Sequence, residues 1–386
     1  MSAEGIVFAI FLIFAGAAVL ATAALFARQA MILAYIAVGA LVGPAGFDLL
    51  PQPEIIRQIA EFGIMFLLYL LGLNLYPQKL MQMLGQATQL TLLSSAVFAG
   101  VGVGIALAFG LPLGEAFIVG CAMMFSSTIL GLKLLPTTAL HHRHAGEIII
   151  SVLLIQDVIA ILMILLLTSS DSEGLGLLLA AVGLPLIVAA GWLGQRYVLQ
   201  PLLRRFDQIQ EYVFLLAISW CLSLATAAHA LGLSYEIGAF VAGVSLAASP
   251  VSRFIADNLR PIRDFFLVIF FFTLGAGLDP AMVAQVALPA LVLAGAMLVL
   301  KPIIFSRLLM SQGEKPELSR EMGVRLGQVS EFSLLIAAVA LTSAAVSPET
   351  GYLIQVTTLL SFIASSYWIV MRYPTPMAVS DKLRRD

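Results

Sequence analysis

The chain has 386 residues, 61% hydrophobic and 11% charged, with a mean hydropathy of +1.02, a balance that excludes an ordinary soluble globular domain and marks a polytopic membrane protein. The net charge of -2 carries little meaning in such a chain, but the placement of its charges does. Its two cysteines, Cys121 and Cys221, both fall in apolar runs and provide neither a disulfide framework nor a CxxC metal spacing, so they read as packing residues.

A spanning helix needs about 20 apolar residues. Apolar runs separated by polar or Gly/Pro breaks lie at 5–26, 30–46, 57–76, 88–110, 115–135, 147–168, 174–195, 210–230, 234–248, 262–279, 281–306, 321–343 and 351–371, about thirteen in all. They lack the period-two alternation of membrane strands, and only segments that close their own backbone hydrogen bonds survive singly in lipid, so the class is all-α. Glu4 and no basic residue precedes the first run, so this start lacks the basic region of a cleavable signal and reads as a helix that stays.

The second and third runs carry "GALVG" at 39–43 and "LGLNLYP" at 71–77. The ninth and tenth carry "GAFVAG" at 238–243 and "LGAGLDP" at 274–280, with a shared order and an offset near 203. The third and tenth runs cross in opposite directions, so the repeat is inverted, as in secondary transporters that place their sites at midplane on interrupted helices. In the fifth run "MMFSSTILG" sets Ser126, Ser127 and Thr128 at mid-depth, and its counterpart in the twelfth is "GQVSEFSLL" at 327–335. Both read as interrupted helices whose free carbonyls suit a hard cation; alternatively, the hydroxyls bond back to their own helix.

Asp157 is the eleventh residue of the 22-residue sixth run. A carboxylate at that depth costs roughly 2.5–3.5 kcal/mol to insert. It is therefore expected to bind a cation or a proton, flanked by Gln156 as a neutral carbonyl ligand. Lys301 stands near the inner end of the eleventh run, placed to snorkel, to steady crossed helices or to pair with an acid. Glu331, near the middle of the twelfth, reads either as a partner for a basic group or as a second titrating site.

The twenty Lys and Arg residues segregate when assigned to alternate loops. One side takes eighteen, including Arg28, Lys133, Arg196, Arg204, Arg205, Arg263, Arg325 and Arg385; Arg57 stands alone on the other and Lys301 remains within a span. Basic loops stay cytoplasmic. The N-terminus is thus expected outside and the C-terminus inside, with residues 1–371 as the transmembrane domain, core spans near 88–168 and 281–371, and residues 372–386 as a cytoplasmic tail or linker.

An acid that crosses an apolar barrier only when neutralised by a proton or a cation couples the two through competition, one for one. The chain resembles the Kef-type potassium/proton antiporters of the monovalent cation:proton antiporter superfamily in "GLNLYPQKL" (72–80), "SST" (126–128), "LLIQDVIAI" (153–161), "FFFTLGAGLD" (270–279) and "GQVSEFSLL" (327–335). The resemblance implies thirteen helices in an inverted repeat with two crossed, unwound helices, a homodimer in a bacterial inner membrane, and potassium as substrate, held at Asp157 and Gln156, with no cofactor. It also implies electroneutral exchange, because Gln156 replaces the first of two acids, and a cytoplasmic nucleotide-binding regulatory partner. A sodium/proton antiporter and a cation channel or uniporter are the alternatives. No paired-Asp, Ser-His or HExxH constellation in the spans suggests an enzyme.

Overall fold

The computed structural model of the chain describes residues 3–27, 29–49, 53–74, 86–127, 175–206, 209–247, 249 and 251–373, and residues 151–167 except 154, 158, 161, 165 and 166. Among them all regular structure is helical. The helices are α1 Ala3–Phe26, α2 Met31–Val42, α3 Pro53–Asn74, α4 Gln86–Ala108, α5 Leu113–Met123, α6 Ser151–Ile164, α7 Leu175–Gly194, α8 Gln200–Phe206, α9 Gln210–Ala230, α10 Tyr235–Ala247, α11 Ser252–Ala276, α12 Pro280–Ser311, α13 Pro316–Arg325, α14 Glu331–Thr342 and α15 Pro348–Arg372.

Each predicted run has a helix on it, with three differences. Among the described residues, seven helices are long and apolar enough to cross a membrane unaided. The short ones, such as α5 and α14 at 11 and 12 residues, extend about 1.5 Å per residue; α5 ends and α14 begins at a break within its run. The seventh run does not stop near 195: a π-turn, Gln195–Leu199, carries α7 directly into α8. The tenth begins at Ser252, not 262, because its first turns are amphipathic, burying Ile255 and Leu259 while exposing Asp257 and Arg260. Arg325, expected in an inner loop, instead closes α13 with its side chain 1% exposed, bonded through Nε and Nη2 to Glu321 at 3.0 and 2.8 Å.

Helix starts follow the sequence. Asp279 caps α12 by accepting from Ala281 N at 2.9 Å, and Pro280 follows at the first position; Ser347 and Pro348 do the same for α15. The chain divides into two compact units, one of residues 1–18, 35–81 and 168–277, the other of 19–34, 82–167 and 278–386.

In the first unit, α3 packs on α10 and α11 around Phe66, Tyr69, Leu73, Ala217, Cys221, Ala242 and Leu259. Backbones meet at paired glycines. A Cβ on Gly39 of α2 would lie 1.9 Å from Phe272 O, and one on Gly275 of α11 would lie 1.9 Å from Ile36 O. The same device recurs between α3 and α10, where a Cβ on Gly72 would lie 2.6 Å from Phe240 O and one on Gly243 would lie 2.1 Å from Tyr69 O. In the second unit, α12 packs on α4, α13 and α15, and α14 packs on α15. Glu115, in the first turn of α5, accepts from Ser347 Oγ at 2.6 Å and from Thr350 Oγ1, tying α5 to the start of α15.

Candidate functional site

A helix end and a gap between two helices meet in the second unit. The first follows α5 at Met124, with Phe125, Ser126 and Ser127 non-helical and buried. The second separates α13 from α14 across residues 326–330. An interrupted helix frees carbonyls and amides that cost several kcal/mol each if left unpaired in an apolar medium. Here side chains from other helices take them up.

At the first break, Ala122 O accepts from Ser333 Oγ of α14 at 2.5 Å, and Met124 O accepts from Gln156 Nε2 of α6 at 3.1 Å. Phe125 O accepts from Lys301 Nζ of α12 at 2.5 Å, and Ser127 O from Gln328 Nε2 at 3.3 Å. Ser126 N donates to Gln156 Oε1 at 2.9 Å, so that one amide holds two backbone groups of the break. At the second break, Leu326 O accepts from Ser126 Oγ at 2.8 Å and Gln328 O from Lys301 Nζ at 3.2 Å. Val329 N donates to Ser361 Oγ of α15 at 3.1 Å, Ser365 Oγ donates to Gln328 Oε1 at 3.3 Å, and Ser330 Oγ caps α14 by accepting from Phe332 N at 3.1 Å.

Lys301 is fully buried and does not snorkel. Its ammonium bridges the two breaks and lies 5.2 Å from the centroid of the Phe98 ring, which itself packs edge-on against Phe305. Gly323 of α13 lets that helix approach α12 beside Lys301: a Cβ on Gly323 would lie 2.5 Å from Pro302 O. Ser126 spends its hydroxyl across to the second break rather than on its own helix. Asp157 follows Gln156 on α6 and is 3% exposed. Glu331 stands half-buried in the first turn of α14, where the helix dipole favours a carboxylate. Thr128 lies outside the described residues.

Gln328 and Ser333, which help complete the breaks, lie within "GQVSEFSLL" but are not singled out there as individual residues. Ser361 and Ser365 are signalled only by polarity inside the last apolar run, where they stand four apart on one face of α15.

The chain's similarities agree with this architecture. The profile of the family described as sodium/hydrogen exchanger, transmembrane, matches residues 9–371. The iron transporter MagA of Paramagnetospirillum magneticum is 27% identical over 347 residues, covering 89% of this chain and 80% of that protein. The glutathione-regulated potassium-efflux system protein KefC of Salmonella typhi is 27% identical over 348 residues, covering 88% of this chain; the chain spans 56% of the length of that relative. Among solved structures, the sodium proton antiporter MjNhaP1 from Methanocaldococcus jannaschii superimposes with a TM-score of 0.71 at 16% identity, over 95% of this chain and 96% of that one, a likeness of fold.

Proposed function

The chain belongs to the sodium/hydrogen exchanger family, and from that premise we propose that it exchanges potassium for protons across the membrane by alternating access, one for one. The observation that carries this proposal is the buried Gln156–Asp157 pair beside the first break, where Gln156 is committed to Ser126 N and Met124 O and Asp157 supplies a single carboxylate.

Binding and movement follow from that carboxylate. Asp157 takes the cation or the proton; empty and ionised, it is costly to carry through an apolar barrier, so the carrier moves when one of the two is bound. Gln156 Oε1 keeps a second lone pair for the cation while its first holds the break in register. Ser126, Ser127 and Thr128 bring the carbonyl-rich backbone toward the same cation. Lys301 balances the break carbonyls, and Glu331 supports the field at the start of α14.

Potassium is favoured over sodium by the KefC relatives, since MjNhaP1 speaks for the fold alone. One carboxylate beside a neutral amide suits a monovalent cation better than an iron ion, which draws several anionic or imidazole ligands. An inner-membrane location with the C-terminus inside is supported by the segregation of Lys and Arg. The homodimer and a cytoplasmic nucleotide-binding regulatory partner rest on the family resemblance.

The test is a proteoliposome assay with potassium, sodium and rubidium gradients, on the native chain and on Asp157→Asn, which keeps the shape but cannot titrate. Potassium and rubidium should each drive a pH change that the variant abolishes. Normal exchange by the variant would remove Asp157 from the mechanism; exchange driven by sodium alone would remove potassium.

A further inference from the structure

In the first unit, the apolar segment Val182–Phe206 is 25 residues long, and Val182, Leu186, Trp192, Leu193, Tyr197 and Val198 are exposed along it. Its last turns are not apolar. Arg196, Gln200, Pro201, Arg204 and Arg205 line an open cavity of ≈ 380 Å³, beginning at the π-turn Gln195–Leu199. Such turns widen a helix locally and recur at binding sites. Arg196, Gln200 and Arg204 stand at spacings of four, which places them along one face.

These arginines differ from others in the same unit. Arg260 and Arg263 pair with Asp257 and Asp264 at 2.6 and 2.9 Å. Arg196, Arg204 and Arg205 are exposed and form no ion pair with an acid among the described residues; Asp207, close by in the chain, lies outside them. Arg196 is instead held 5.4 Å from the Trp192 ring centroid and 5.8 Å from that of Tyr197, and Arg205 lies 5.8 Å from that of Phe206. Aromatic rings that flank guanidinium groups at the end of an apolar span are the pattern of a membrane interface. By the segregation of charge this end faces the cytoplasm, where the leaflet carries anionic lipids.

We infer that this cavity binds the phosphodiester headgroup of an anionic phospholipid. The planar guanidinium forks match phosphate oxygens pairwise, Gln200 offers an amide to the glycerol or phosphate oxygens, and exposed Trp192, Tyr197 and Val198 contact the acyl chains. The site is independent of cation exchange and stands or falls apart from it.

Native mass spectrometry of the full chain in neutral detergent, titrated with phosphatidylglycerol or phosphatidylcholine, tests it. Phosphatidylglycerol should bind saturably and phosphatidylcholine should not compete. Replacing Arg196, Arg204 and Arg205 together by Ala should weaken phosphatidylglycerol roughly 100-fold, at about one tenfold step per 1.4 kcal/mol and about 1 kcal/mol per basic residue. Replacing all three by Lys should restore part of that affinity, which a folding defect would not allow. Equal binding of the two lipids, or unchanged binding by the alanine variant, would overturn the site. Displacement of the lipid by inorganic phosphate at lower concentration than the lipid itself would assign the cavity to a soluble phosphate and overturn the lipid.

Discussion

Gln156 uses its side-chain amide twice, donating to Met124 O and accepting from Ser126 N, and no aliphatic or purely accepting side chain can do both. Gln156→Glu makes the point testable. Protonated, the new carboxylic acid can still donate to Met124 O while its other oxygen accepts from Ser126 N; ionised, it loses the donor and sets a second negative charge beside Asp157. Exchange by this variant is therefore expected to persist at acid pH and to fall as pH rises, whereas Gln156→Leu should be weak throughout. A flat pH profile for Gln156→Glu relative to the native chain would show that the amide's donor is dispensable. Asp157, Gln156, Ser126 and Lys301 were legible in the sequence because a costly polar group in an apolar run demands a reason. The serines of α15 were not, since a helical hydroxyl is ordinarily satisfied by its own turn. Thr358 donates to Ile354 O at 2.8 Å in that way, and so does Ser361 to Thr358 O, but Ser361 also accepts from Val329 N. Only the tertiary structure distinguishes the two.

Between elements, the repeated motifs acquire a physical reason. "GALVG" in α2 contributes Gly39 to a crossing with Gly275 of "LGAGLDP" in α11, while "LGLNLYP" in α3 contributes Gly72 to a crossing with Gly243 of "GAFVAG" in α10. Each half thus gives one partner to each crossing, and the match between halves preserves close backbone contact. Gly243→Ala and Gly275→Ala should each cost about 1–3 kcal/mol through overpacking, because the atoms met are backbone and cannot turn aside. Gly100→Ala and Gly104→Ala in α4, where a Cβ meets nothing within 4 Å, should be neutral or slightly stabilising. Thermal melting of the four variants in detergent checks this, and a loss at Gly100 equal to that at Gly243 would sink the crossing argument. The motif pairing was visible as sequence similarity, but which glycine faces which was not, because helix direction and partner are set by tertiary packing. Hydropathy likewise missed the amphipathic start of α11 and the π-turn after α7, since it averages over faces and is blind to backbone hydrogen-bond register.

For the whole molecule, the count of titrating groups in the second unit decides whether transport moves net charge. Lys301 is engaged by Phe125 O and Gln328 O, which makes it a clamp between the two breaks. Glu331 lies half-buried in the first turn of α14 and is a second candidate for titration. Under the proposed one-for-one exchange, only Asp157 changes partners, and each cycle returns one proton for one monovalent cation. Electrometry on proteoliposomes, run beside an entrapped pH dye, should then register proton movement driven by a potassium gradient without sustained current. A sustained current that Glu331→Gln abolishes while leaving dye-reported exchange would give Glu331 the second titration. A sustained current that persists in that variant and ignores the pH gradient would instead indicate a conducting pore on the same fold. The charge segregation that orients the chain bears on neither outcome, because it reads loops, whereas stoichiometry is set by buried groups whose partners only the folded chain supplies.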